Sequence, residues 1–133
     1  MMSYKLDLLS NPEQVTSIPG WLNSILQKNS LLCEIQIVEI RYAVVEAVNN
    51  SIEHAYEKQV DRPITLSCDI EPDRIHITIR DNGRPIPSAF PVTGNSPTAE
   101  SGRGLVIIEA MTDAIHRERV AGWNVTRLVK FIR

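Results

Sequence analysis

The 133 residues are enough for one domain, residues 1–133, and leave little room for a second. A hydrophobic fraction of 43% supplies a real core and excludes wholesale disorder. Fourteen basic against sixteen acidic residues give a net charge of −2 without any Lys/Arg cluster, which argues against a nucleic-acid surface.

In chain order, Tyr4 to Leu9 reads as a short first strand. Asn11-Pro12-Glu13 reads as a helix start, with Asn11 as the cap and Pro12 in the first turn. Pro19-Gly20 predicts a bend or a fresh helix start, after which Trp21, Leu22, Ile25 and Leu26 form an apolar face. Asn29-Ser30 breaks the pattern, and a long helix is predicted from Leu32 to Lys58. Ile37, Ile40, Val44, Ala47 and Val48 recur along one side of it at helical spacing.

Ile64, Leu66, Cys68 and Ile70 alternate with polar residues, as do Ile75, Ile77 and Ile79. The turn signal Glu71-Pro72-Asp73 joins the two runs into a hairpin with one buried face. Pro87 to Ser101 holds Pro87, Pro91, Gly94 and Pro97 with no period. A loop of about fifteen residues is long for a connector and suggests a lid. A short helix from Gly104 to Met111 follows, then strands Ala114 to Val120 and Trp123 to Ile132 joined at Ala121-Gly122. This order implies an α+β fold, a two-layer α/β sandwich with a mainly antiparallel mixed sheet and helices on one face.

Cys33 and Cys68 lie far apart without metal-ligand spacing and read as buried free thiols in a reducing cytoplasm. No basic segment followed by an apolar run marks a signal peptide, and no uninterrupted apolar stretch suggests a membrane span.

Three groups of residues can carry chemistry. Glu46, Asn50 and His54 fall four residues apart on the long helix and share a face. An amide oxygen there can ligate a hard cation, and a carboxylate one turn away can accept a proton from a hydroxyl or water. Asp81 stands where a strand becomes a loop, so its carboxylate can accept a hydrogen bond from an exocyclic amine, and Gly83 permits close approach. Gly102 and Gly104 flank Arg103 just ahead of Leu105 at a helix start, where free backbone N–H groups suit a phosphate chain. Taken singly, these are also a solvated helix stripe, a common Asp-Asn-Gly turn and a capped hinge.

Together and in this order they resemble the boxes of the GHKL ATPases, shared by gyrase, the Hsp90 chaperone, histidine kinases and MutL. Glu46-Ala47-Val48-Asn49-Asn50-Ser51-Ile52-Glu53-His54 resembles the family's N-box. Asp81-Asn82-Gly83-Arg84-Pro85 resembles its Asp-x-Gly-x-Pro box, and Ser101-Gly102-Arg103-Gly104-Leu105 its second glycine box. The resemblance covers almost the whole chain and is nearest to the stand-alone anti-sigma factor serine/threonine kinases of bacteria. It implies ATP and Mg²⁺ as cofactors, with Asn50 holding the metal between the phosphates, Glu46 as general base and Asp81 on the adenine amine. It further implies that Gly83 lets the base lie close, that Gly102, Arg103, Gly104 and Leu105 wrap the phosphates, and that His54 supports the site.

The partners so implied are a STAS-domain anti-sigma antagonist as phosphoacceptor, a sigma factor to sequester, and a second copy in a homodimer. Two departures stand out. The turn before the last strand reads Gly122-Trp123-Asn124-Val125-Thr126 in place of a Gly-Thr-Thr-like turn, so that Asn124 or Thr126 takes the adenine-side role. The Pro19-Gly20 break falls in the first helical region, where these kinases meet partners. The competing reading is an ATP-dependent protein-binding switch without phosphotransfer. The catalytic half of a histidine kinase is disfavoured, because no phospho-acceptor hairpin precedes the boxes and His76 and His116 fall in strand patterns.

Overall fold

The computed structural model describes residues 2–29, 32–86 and 106–132. The alternating segments become strands β1 (Met2–Leu9), β2 (Pro63–Ile70), β3 (Arg74–Asp81), β4 (Ala114–Val120) and β5 (Trp123–Phe131). They form one sheet in the order β1-β2-β3-β5-β4. The sheet expected to be mainly antiparallel is antiparallel in every described pairing. Because the side-chain period is two, Leu66, Cys68, Ile75, Ile77, Ile79 and Leu128 all fall on one face of the sheet, and all are buried.

Helices α1 (Pro12–Val15), α2 (Ile18–Asn29) and α3 (Glu34–Asn50) supply the second layer. Asn11 caps α1 through its Oδ1, which accepts from the Gln14 N–H at 3.0 Å. The Pro19-Gly20 signal resolves as a fresh start: Pro19 is the second residue of α2, where its missing N–H removes no helical bond. Leu22, Ile25 and Leu26 are buried, while Trp21 packs half-buried at the edge of the core. Ile37, Ile40, Val44, Ala47 and Val48 bury the sheet-facing side of α3, as their spacing predicted.

The long helix ends earlier than expected. Its α-helical part stops at Asn50, and Ser51–Ala55 winds as a π-helical turn. There the Tyr56 N–H donates to the Ser51 carbonyl, five residues back, at 2.9 Å. Glu57 and Lys58 then take left-handed φ values of 50° and 65°, which take the chain out of the helix. The β4–β5 turn is a two-residue hairpin in which Ala121 and Gly122 both have positive φ, at 51° and 85°.

Cys68 is buried as expected, and burial pushes its thiol up to about 12. Cys33, expected to be buried, is exposed. It is the cap position of α3, outside the buried stripe, and its N–H donates to Gln36 Oε1 at 3.1 Å. Residues 106–111 are helical and Ile108 is buried, which agrees with the last part of the short helix expected there. The loop expected from Pro87 to Ser101 and the box Ser101 to Leu105 lie outside the described residues. No helix among the described residues is long and apolar enough to cross a membrane.

Candidate functional site

Strand alternation carries Asp81, the last residue of β3, onto the same buried face as Ile75, Ile77 and Ile79. Its side chain is only 1% exposed. Oδ1 accepts from the Gly83 N–H at 3.0 Å and from Asn124 Nδ2 at 2.8 Å. Among the described residues nothing donates to Oδ2. Oδ2 is thereby left open to a further donor, which a ligand could supply.

The segment after Asp81 is pressed against the end of the long helix. A Cβ on Gly83 would lie 2.5 Å from the Ala55 carbonyl oxygen and 2.8 Å from the Ala55 Cβ. The Arg84 N–H donates to that carbonyl at 3.0 Å. Glycine is therefore required here by the π-helical turn. The close approach expected of Gly83 is, among the described residues, an approach to protein backbone. Tyr56 completes the junction: its hydroxyl accepts from the Asn82 N–H at 2.9 Å and lies within hydrogen-bond distance of Asn82 Oδ1 and the Pro63 carbonyl. Burial pushes the Tyr56 phenol above its ordinary value, against the Asn82 N–H, which pulls it down.

On α3, Glu46 is half-buried and Asn50, its final residue, is 6% exposed. Among the described residues neither side chain has a hydrogen bond or ion pair. His54 lies within the π-helical turn, and its wider winding shifts His54 off the α-helical register that the sequence implied. The His54 Nε2 is buried and has no partner among the described residues. No group of three His, Cys, Asp or Glu able to hold a metal forms among the described residues. The donors available to a hard cation here are an amide oxygen and a carboxylate, so phosphate oxygens and waters would have to complete its shell, as suits Mg²⁺.

The structure thus joins the Asp81–Arg84 segment to the end of the Glu46–Asn50–His54 helix through Ala55 and Tyr56, neither of which the sequence singled out. It also separates the two residues offered for the β5 turn. Asn124 pairs directly with Asp81 across the sheet and is buried, whereas Thr126 pairs with Ile79. Arg119 on β4 pairs with Asn124 and Arg117 with Thr126. Burial draws the Arg117 guanidinium below its ordinary value, while the negative charge of Asp81 pushes it back up. Gly102, Arg103, Gly104 and Leu105 are among the residues the structure does not describe.

Comparison with known proteins gives four matches. The sequence model of the histidine kinase-like ATPase domain matches residues 8–130. The anti-sigma F factor of Oceanobacillus iheyensis is 36% identical over 85 residues, 60% of this chain and 58% of that protein. The anti-sigma F factor of Clostridium beijerinckii is 33% identical over 99 residues, 71% of this chain and 68% of that protein. The chain therefore spans under two thirds of the Oceanobacillus protein that it matches. A crystal structure of the RsbU and RsbW domains of a Mycobacterium tuberculosis protein superposes with a TM-score of 0.72. That match covers 98% of this chain and 33% of the other at 17% identity, a shared fold.

Proposed function

This chain belongs to the histidine kinase-like ATPase domain family, and we propose that it is a single ATP-binding domain acting as a serine/threonine kinase of the anti-sigma factor type. Its phosphoacceptor is a STAS-domain antagonist, and its second partner is a sigma factor held by a homodimer of this chain. The observation that carries the nucleotide reading is Asp81, a buried carboxylate with Oδ1 occupied by Gly83 and Asn124 and Oδ2 without a described donor. An adenine amine is a donor of the kind that this oxygen lacks.

In this reading Asp81 takes the adenine amine, and Gly83 sets the Asp81 loop against the helix. Asn50 offers its amide oxygen to Mg²⁺, and Gly102, Arg103, Gly104 and Leu105 hold phosphates, with His54 in support. The metal, when bound, neutralises charge on the phosphates. Glu46 accepts the proton of the serine hydroxyl as the hydroxyl oxygen attacks the γ-phosphorus and the bond to ADP breaks. The names carried by the Oceanobacillus and Clostridium relatives support the partner assignment.

Two measurements test the reading. Mg-ADP at about a hundred times its dissociation constant is expected to stabilise the fold by roughly 2.7 kcal/mol. A thermal melt that does not move with Mg-ATP or Mg-ADP overturns the nucleotide reading. Labelled ATP added to partners captured from the native cell extract is expected to mark one small acceptor protein. Robust binding of ATP and partner with no transferred label would instead make the chain a binding switch.

A further inference from the structure

Asn124 is the most completely bonded side chain at the site. Its Nδ2 donates to Asp81 Oδ1 at 2.8 Å and to the Arg84 carbonyl at 2.8 Å. Its Oδ1 accepts from Arg119 Nη1 at 3.0 Å and from the Ile86 N–H at 3.4 Å. Arg119 Nη1 also donates to the Gly83 carbonyl at 3.1 Å. An asparagine amide has two hydrogens to give and two lone pairs to offer, and all four are used. The partners also fix which way the amide points: a carboxylate and a carbonyl lie on one side, a guanidinium and an N–H on the other. A flipped amide would set like against like at every contact.

We infer that Asn124 is the positioning and specificity-determining residue of the base site, a deepening that rests on the nucleotide reading above. The amide of Asn124 occupies Asp81 Oδ1 with a donor, so the carboxylate is held in one orientation and reads its ligand through Oδ2 alone. An acceptor in that place selects a purine with a 6-amino group over one with a 6-oxo group or a bare hydrogen. The same amide holds the Arg84 carbonyl and the Ile86 N–H, so the loop leaving Asp81 takes its course from β5. Arg119 supports the clamp from β4 by donating to Asn124 Oδ1 and to the Gly83 carbonyl. A buried hydroxyl at position 124 could give the first of these bonds but, having a single hydrogen, could not also give the second.

The test measures, by calorimetry on the whole chain, the affinity for ADP and for the diphosphates of purine riboside and inosine. Wild type is expected to prefer ADP over purine riboside diphosphate by about tenfold or more, the range of a hydrogen bond to a charged group. Asn124→Ala is expected to reduce that preference to about twofold or less, with the larger loss falling on ADP. Asn124→Thr keeps a donor to Asp81 and drops the loop contacts. It is expected to keep the preference while binding all three ligands several-fold more weakly, and it carries the test should Asn124→Ala fail to fold. A folded Asn124→Ala with the wild-type preference overturns the inference and leaves the nucleotide reading standing, as does an Asn124→Thr that matches wild type in both affinity and preference. Wild type that binds none of the three diphosphates overturns the nucleotide reading and this inference with it.

Discussion

The two ends of the proposed pocket are built differently. At the sheet end, Asp81, Gly83 and Asn124 are tied to one another and to Arg119 by hydrogen bonds, and the next residue, Arg84, is tied to the Ala55 carbonyl. At the helix end, Glu46 and Asn50 stand one turn apart with no hydrogen-bond partner among the described residues. The sheet end, Asp81 Oδ2 excepted, is held by hydrogen bonds within the fold before any ligand arrives. In the proposed reading the helix end is left for a ligand to complete. Recognition of the base is therefore proposed to be rigid, and handling of metal and phosphate to depend on what is bound.

The largest expected effect breaks the helix end only. Glu46→Gln is expected to lower phosphotransfer by about 10²- to 10⁴-fold, the range for loss of a general base, with nucleotide affinity unchanged. Transfer of labelled phosphate and calorimetry measured side by side check this, and transfer that survives the change removes Glu46 as the base. Asp81→Asn breaks the sheet end. Asn124 would still find an acceptor, but a donor would replace Oδ2 and face the amine. ADP affinity is expected to fall by roughly ten- to a hundredfold, while urea unfolding stays close to wild type.

Gly83→Ala strikes the junction between the two ends. The added methyl would need to displace the Ala55 backbone, which lies 2.5 Å away. Overpacking of this kind costs about 1–3 kcal/mol, read as a lower urea midpoint at unchanged slope. The smallest effect has the opposite sign. Ala121 adopts φ 51° in the β4–β5 turn, a conformation that asparagine tolerates better. Ala121→Asn is expected to stabilise the protein by about 0.5–1 kcal/mol and to leave ADP affinity unchanged, because it tightens the hairpin that carries Arg119 and Asn124 without altering their contacts.

The strands and α2 were legible because Ile75, Ile77 and Ile79, or Leu22, Ile25 and Leu26, repeat at the period of the element that buries them. Asn50 and Asp81 were legible as candidates through the boxes in which they stand. The π-helical turn was not, because Ser51–Ala55 holds no Gly or Pro and continues an unbroken helical pattern. The wider winding coincides with a contact to Gly83 that lies far away in sequence. Asn124 could be named only as one of two alternatives. Choosing it over Thr126 required knowing that β5 pairs with β3 in the register that sets residue 124 opposite Asp81. Cys33 was misjudged because composition alone does not separate a cap position from a core position.

The division of labour between the two ends is tested most directly by measuring ADP affinity with and without Mg²⁺ in wild type, Asp81→Asn and Asn50→Ala. The expected result is that Asp81→Asn weakens binding equally in both conditions and keeps the Mg²⁺ enhancement, whereas Asn50→Ala loses the enhancement and keeps the metal-free affinity. An Asn50→Ala variant with the wild-type Mg²⁺ enhancement, or an Asp81→Asn variant with wild-type affinity, would contradict the account.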